Sequence, residues 1–210
     1  MTLFNAAISS LNRRIAYGSG STGWSRAWLI AVGARLYQPA EVHMSTVNLL
    51  YNYTYVNSML DTGPPAAFQI DGNLGGPAGI AEALLHSHET VTASSLDASN
   101  MTASSTGDST HDPLVRLLPT LPQQWASNGG GFVKGLLARG GAQVDVSWTS
   151  DGKLDKANIT STTGNLLWVT LGTQPIGSTN GTQISIDGVG SGVFIRLVPR
   201  KGVSYTVTLK

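Results

Sequence analysis

Residues 27–34 read AWLIAVGA, and this stretch decides the fold of the first half of the chain. Apolar side chains cover every side of a helix formed by it, and a helix that is apolar all round is buried on all sides. Helical spacing of apolar residues also occurs in three flanking segments, residues 4–15, about 40–57 and about 77–88. Helices with so few polar faces cannot bury one another completely, so we expect them to belong to a larger helical assembly.

Signals for helix ends indicate the boundaries of these segments. Residues 18–21 read GSGS and end the first helix, after which Thr22 can cap a second helix that runs to about Tyr37. Pro77 is expected in the first turn of the fourth helix, where its missing N–H costs nothing. His86 and His88 lie two residues apart near the end of that helix, so they are expected to point to different sides, in solvated or capping roles.

The apolar pattern changes to a period of two after Pro113. Val144, Val146 and Trp148 alternate with polar residues, as in a half-buried strand. The following Asp151-Gly152 is a hairpin signal. Further strands are predicted at residues 166–171, 192–198 and 204–209. Several short strands of this kind favour an antiparallel β-sandwich.

Composition marks a boundary between the two halves. Eleven of the twenty-three residues in 90–112 are Ser or Thr, and none is aromatic. Such a segment cannot bury enough apolar surface to order itself. We therefore predict an α+β chain in which residues 1–89 end a helical domain, residues 90–112 form a linker and residues 113–210 form a β-sandwich domain.

Charge and composition exclude several classes of function. The net charge is +1 without a basic run, which argues against nucleic acid and anionic membrane surfaces as partners. No run of about 18 apolar residues is present to span a bilayer, and residues 1–5 do not resemble a signal peptide. The sequence has no cysteine, so disulfides and thiolate metal sites are excluded. No cofactor and no metal site is indicated.

The most unusual stretch is residues 68–82, FQIDGNLGGPAGIAE, in which Asp71 stands among small residues just before a predicted helix. Three glycines in it would let backbone approach a ligand closely. These are Gly72, Gly75 and Gly76. The helix N-terminus would keep the Asp71 carboxylate ionised, as a general base requires. The simpler alternative is that Asp71 or Asn73 only caps the helix.

Trp24 and Trp28 lie four residues apart, on one face of the predicted second helix. Because an aromatic face can stack on the C–H surface of a sugar, the pair could form part of a carbohydrate site. Core packing is the alternative, since Trp is commonly buried.

Six segments, in the same order along the chain, resemble glycoside hydrolase family 95. They are residues 21–28 (STGWSRAW), 34–36 (ARL), 68–73 (FQIDGN), 75–82 (GGPAGIAE), 117–122 (LLPTLP) and 134–141 (KGLLARGG). One such segment would be weak, but six in order make a specific pattern. Together they cover most of residues 1–150.

The resemblance implies the last helices of an (α/α)6 toroid followed by β-structure, and hydrolysis of terminal α-L-fucose with inversion. It assigns Asp71 to the base side of the mechanism, and we expect Trp24 and Asn73 to bind the substrate beside it. The family's general acid, a glutamate, and its water-contacting asparagines belong to earlier segments that have no match here. The acidic residues Glu41, Glu82 and Glu89 do not match the motif of the acid. The chain by itself is therefore expected to be inactive.

One departure concerns residues 61–69, DTGPPAAFQ, where the family commonly has a histidine ahead of a Pro-Pro-Phe-Gln run. A related sugar such as L-galactose is therefore an alternative to fucose. The implied partners are a fucosylated glycan and the remainder of the catalytic domain, and the implied location of the parent enzyme is extracellular. Four N-glycosylation sequons fit that location weakly. They begin at Asn52, Asn100, Asn158 and Asn180. The competing hypothesis is a non-catalytic remnant or a carbohydrate-binding β-sandwich module.

Overall fold

A computed structural model describes residues 2–55, 62–63, 67–92, 111–176, 178 and 180–210. The chain divides into two compact units, Met1–Leu84 and Leu85–Lys210. Among these described residues the first unit has four helices and the second is built mainly of β-strands, so the predicted α+β order is confirmed. In the part of the chain that the structure describes, no helix is long and apolar enough to cross a lipid bilayer.

Two of the helices of the first unit begin at a capping threonine. The described helices are α1 (Leu3–Ala16), α2 (Gly23–Arg35), α3 (Pro39–Asn52) and α4 (Ile70–Leu84), with the antiparallel pair β1 (Thr62–Gly63) and β2 (Ala67–Phe68) ahead of α4. The hydroxyls of Thr2 and Thr22 accept hydrogen bonds from the N–H groups of Asn5 and Ser25, each at 3.3 Å. The predicted cap at Thr22 is therefore confirmed.

Helices α2 and α4 lie side by side and run in the same direction. Near their starts, the N–H of Trp24 donates to the side-chain oxygen of Gln69 at 3.5 Å. Near their ends, the guanidinium of Arg35 makes two hydrogen bonds to the Glu82 carboxylate, at 2.8 and 2.9 Å. The N-termini of α2 and α4 therefore lie at the same end of the unit.

Helix α4 differs from its prediction at both ends. It begins at Ile70, ahead of the predicted start at Pro77, and it ends at Leu84, before the two histidines. Pro77 is consequently inside the helix, where it cannot donate a hydrogen bond to the carbonyl of Asn73. The prediction was wrong because proline is normally excluded from helix interiors; here close packing against α2 and α3 stabilises the helix around it.

The described residues of the second unit form two sheets. Its strands are β3 (Leu85–His86), β4 (Thr90–Val91), β5 (Asp112–Leu117), β6 (Gly131–Ala138), β7 (Ala142–Trp148), β8 (Leu154–Ser161), β9 (Leu167–Leu171), β10 (Ile184–Ile186), β11 (Gly190–Gly192), β12 (Phe194–Leu197) and β13 (Ser204–Leu209). One sheet has the order β11-β10-β13-β8-β7-β6 and is antiparallel throughout. The other has the order β12-β9-β5-β3, with β4 also paired to β5.

The predicted alternation in β7 is confirmed. Val144, Val146 and Trp148 are buried, whereas the residues between them are exposed or half-buried. The predicted turn at Asp151-Gly152 joins β7 to the antiparallel β8, and Gly152 has a φ of +78°, which suits glycine.

The expectation of purely antiparallel strands is wrong for β5 and β9, which pair in parallel. Every residue of β9 is buried, and the last four residues of β5 are buried too. Strands of a parallel pair are commonly covered on both faces and then read as continuous apolar runs. The period of two that reveals a half-exposed antiparallel strand is therefore missing from both.

Arg116 of β5 is buried, with 1% of its surface exposed. Its guanidinium binds the Glu89 carboxylate at 2.7 and 3.1 Å and donates to the carbonyls of Gly172 and Gln174 at 3.1 and 2.8 Å. A buried charge of this kind requires a partner and several hydrogen bonds. The cluster joins the segment before β4 to the loop after β9.

The boundary between the units lies at Leu84, ahead of the predicted end of the helical part at residue 89. Strands β3 and β4 pair with β5, so residues 90–91, predicted as linker, are a strand. Residues 93–110 of the predicted linker lie outside the described residues. His86 is buried in β3 and its ring meets that of His88 edge-on at 4.9 Å, so the predicted divergence of the two histidines is wrong.

Candidate active site

Asp71 is the second residue of α4, and its side chain is exposed. Because α4 begins at Ile70, neither Asp71 nor Asn73 occupies the position immediately before the helix. The capping alternative is therefore not supported in its simple form. Asp71 instead lies in the first turn, where backbone N–H groups and the helix dipole favour a negative charge.

Gln69 connects this turn to α2. Its side-chain oxygen accepts the hydrogen bond from the Trp24 N–H, the first-turn donor of the neighbouring helix. Asp71 therefore lies two residues after Gln69, whose side chain is hydrogen-bonded to the start of α2. Two parallel helix N-termini meet at this point, and both favour an anion. Sequence reasoning gave Gln69 no role, since nothing in the sequence shows that the two helix starts are neighbours.

Two of the three glycines singled out near Asp71, Gly75 and Gly76, have a role different from the predicted one. A Cβ added to Gly75 would lie 3.1 Å from the Cβ of Ala27, and one added to Gly79 would lie 2.7 Å from the Cγ2 of Ile30. An added Cβ at Gly76 would meet a methyl of Leu49 in α3 at 2.6 Å. Gly75 and Gly76 are therefore explained by helix packing rather than by approach to a ligand.

Trp24 and Trp28 line a cleft of about 290 Å³ on the side of α1. The other lining residues are Arg14, Ser19 and Ser25. Trp24 is 56% exposed and Trp28 44% exposed, so neither belongs to the core of the described unit. The guanidinium of Arg14 lies over the Trp28 ring, 5.4 Å from its centre. Arg14 was not predicted as part of a site.

The predicted site residues are brought together only in part. Trp24 lies at the same end of the α2–α4 pair as Asp71, through Gln69. Neither Asp71 nor the half-buried Asn73 lines the tryptophan cleft. Within the described residues, no group of three or more His, Asp or Glu side chains is placed to hold a metal ion.

Comparison with protein families gives two matches. Residues 1–84 match the glycosyl hydrolase family 95 catalytic domain, and residues 109–207 match the glycoside hydrolase family 95 C-terminal domain. The chain belongs to glycoside hydrolase family 95. The resemblance found from the six sequence segments is thereby confirmed.

Curated relatives agree with this family 95 assignment. A probable alpha-fucosidase A of Aspergillus oryzae is 32% identical over 169 residues, which are 79% of this chain and 21% of the relative. Its namesake in Aspergillus niger is 30% identical over 157 residues, 73% of this chain and 18% of the relative. Alpha-L-fucosidase 2 of Arabidopsis thaliana is 29% identical over 157 residues, 70% of this chain and 15% of the relative. The chain thus spans about a fifth or less of the length of these relatives.

Proposed function

We propose that this chain contributes the base side of an inverting exo-glycosidase site, which hydrolyses terminal α-L-fucose or a related sugar such as L-galactose. The observation that carries the proposal is the exposed Asp71 carboxylate in the first turn of α4, beside the N-terminus of α2. The names of the relatives, all alpha-fucosidases, support the substrate class. The parent enzyme acts outside the cell, where such glycans are met.

In this mechanism Asp71 accepts a proton from a water molecule as the water attacks the anomeric carbon. The attack comes opposite to the departing oxygen, which inverts the configuration. A general acid on the other side protonates the leaving oxygen, and the two carboxyl groups stand about 6.5–9.5 Å apart to admit the water. We propose that the acid comes from outside these 210 residues, with Asn73 and Trp24 contacting the sugar.

The toroidal arrangement is part of the same proposal. In a ring of helical hairpins each helix is antiparallel to the next one along the chain, so alternate helices such as α2 and α4 become parallel neighbours. Continued around a closed ring, this pattern gives an inner circle of parallel helices whose N-termini surround one site. Twelve of the seventeen exposed large apolar side chains among the described residues lie in the first unit, which supports packing of these helices against further helices of the enzyme.

The test uses a chimera in which this chain replaces the matching part of the Aspergillus oryzae relative. Asp71→Asn removes the negative charge and keeps the size, so kcat should fall at least about 10²-fold with KM little changed. Azide, a nucleophile that needs no base, should restore part of the turnover of Asp71→Ala, whose shorter side chain leaves room for it, as the inverted glycosyl azide.

The matched control is Asp151→Asn, which alters an exposed carboxylate in the other unit and should leave kcat unchanged. An Asp71→Asn chimera that keeps more than about a tenth of the parent kcat would show that the base lies elsewhere. A loss of activity in Asp71→Ala that azide does not restore would also contradict the assignment of Asp71 as the base.

A further inference from the structure

The outer face of the six-stranded sheet carries a groove that the proposed hydrolase site does not use. It has a volume of about 150 Å³ and lies across β6, β7 and β8. Its aromatic and polar lining residues, here named the Phe132 groove, are Phe132, Lys134, Asp145, Ser147, Lys156 and Asn158.

The strand register places five of these side chains in two adjacent rows. Phe132 is opposite Ser147, and Ser147 is opposite Lys156. In the next row Asp145 is opposite Asn158. Because side chains alternate between the faces of a sheet, these residues project away from the buried positions of β7.

A β-bulge shapes the edge of the groove. The register of β6 shifts between Val133 and Leu136, and Gly135 in the bulge has a φ of +79°. The N–H of Gly135 donates to one carboxylate oxygen of Asp145 at 2.8 Å. Bulges redirect neighbouring side chains. Next to this bulge, the ammonium of Lys134 lies over the Phe132 ring, 5.8 Å from its centre.

The chemistry of the lining suits a neutral, hydroxyl-rich ring. Phe132 is 71% exposed, and the face of its ring away from Lys134 offers an apolar surface. Lys134 and Lys156 supply donors, while the second oxygen of Asp145 supplies an acceptor. The two ammonium groups are balanced by the carboxylates of Asp145 and of Asp155, which accepts a hydrogen bond from the Ser147 hydroxyl at 2.8 Å, so the lining favours neither an anion nor a cation. We propose that the Phe132 groove binds one neutral pyranose residue of a glycan, with an apolar face of the sugar against Phe132.

Protection of a sheet edge accounts for only part of this arrangement. Strand β6 is at the edge of its sheet, and a bulge and a lysine there would oppose pairing with another chain. An exposed aromatic side chain on the same edge does not oppose association, so edge protection leaves Phe132 unexplained. A sugar-binding role explains Phe132 and the polar residues together.

This inference goes beyond the proposed hydrolase function. It concerns a glycan residue held in the second unit, whereas Asp71 belongs to the first. Binding in the Phe132 groove requires no turnover and no general acid. It can therefore be tested on the whole 210-residue chain, independently of activity.

The experiment titrates the ¹⁵N-labelled chain with methyl α-L-fucopyranoside and with methyl β-D-galactopyranoside through the millimolar range, followed by NMR. We expect saturable shifts of the backbone amides of residues 131–135, 145–147 and 156–158 with at least one probe. Phe132→Ala should raise the Kd at least about tenfold. The control is Leu137→Ala, an equally exposed apolar residue of β6 outside the groove, which should leave the Kd unchanged.

Several outcomes would overturn the inference. They are the absence of saturable shifts in these residues with either probe, an unchanged Kd in Phe132→Ala, and an equal loss in Leu137→Ala. A lower Kd for methyl β-D-glucuronide than for either neutral probe would contradict the assignment to a neutral sugar. Asp71→Asn should leave these shifts unchanged, so failure of the hydrolase proposal and failure of this one give different results.

Discussion

Asp151, in the hairpin between β7 and β8, shows how two local partners alter an exposed carboxylate. The ammonium of Lys153 lies 2.6 Å from its oxygen, and the hydroxyl of Thr149 donates to it. The hydrogen bond from Lys153 and then that from Thr149 lower the pKa of Asp151 to about 2. Since the folded pKa lies below the ordinary value of 3.8, the stabilisation is present above that value and is lost as the pH falls through about 2.

We predict that Lys153→Met raises the pKa of Asp151 towards its ordinary value, because it removes the larger of the two effects. Thr149→Val should raise the pKa by less. The midpoint is measured by NMR from the carboxyl carbon of Asp151 between pH 1 and 6. The control is Lys156→Met, further along β8, which should not move the midpoint; an unchanged midpoint in Lys153→Met would contradict the assigned cause.

At the scale of the elements, the close contact between α2 and α4 depends on glycines of α4, which have no side chain to hold the helices apart. A Cβ at Gly79 would come within 2.7 Å of Ile30 and 2.9 Å of the backbone nitrogen of Ala31. Backbone cannot move aside as the end of a flexible side chain can. Gly33, on α2, differs, because its nearest neighbour would be the Cγ2 of Val42 at an ordinary 3.4 Å.

We predict that overpacking in Gly79→Ala costs about 1–3 kcal/mol against a gain in helix propensity of about 1 kcal/mol, so the helical unit loses up to about 2 kcal/mol of stability. Gly33→Ala, the matched control, gains the same propensity without the clash and should be neutral or stabilising. Thermal unfolding of the whole chain, followed by circular dichroism at 222 nm, measures both. Equal stability of the two variants would show that α2 and α4 are not held this closely.

The elements that were predicted correctly are those in which the order of apolar and polar residues follows which side chains are buried and which are exposed. Val144, Val146 and Trp148 alternate with polar residues because one face of β7 is covered, and Thr22 reveals the start of α2 by its capping hydroxyl. Prediction failed for α4 because Pro77 is a local signal that tertiary packing overrides. At the candidate site, Asp71 could be singled out from its neighbours, but the contact between Gln69 and Trp24 required knowledge of which helices are adjacent.

For the whole molecule, the two units differ in how well they cover their apolar surface. The second unit buries a contiguous cluster that includes Leu114, Trp168 and Phe194. In the first unit Trp24, Leu50 and Leu74 are among the large apolar side chains left exposed. The proposed hydrolase function explains this difference, because the helices would be covered in the complete enzyme.

We predict that the 210-residue chain alone releases no fucose from 2′-fucosyllactose. General acid and base groups each contribute roughly 10²–10⁴-fold to the rate, and the proposed acid lies outside this chain. Free fucose is measured after incubation with the purified chain and with its Asp71→Ala variant as the background. Release above that background would show that a complete site exists within these residues.

The parallel pairing of β5 with β9 also constrains the order in which the second unit can be made. The hairpin of β7 and β8 closes a short loop. In contrast, Leu114 of β5 can pair with Trp168 of β9 only after all the residues between them have been synthesised. Long loops are slow to close, and parallel pairings expose apolar strands while they form. On the ribosome, β5 can pair with β3 and β4 as soon as it is made, but its other edge stays open until β9 follows. That open edge would be exposed to chaperones, and to aggregation in any nascent chain that stalls before Leu167.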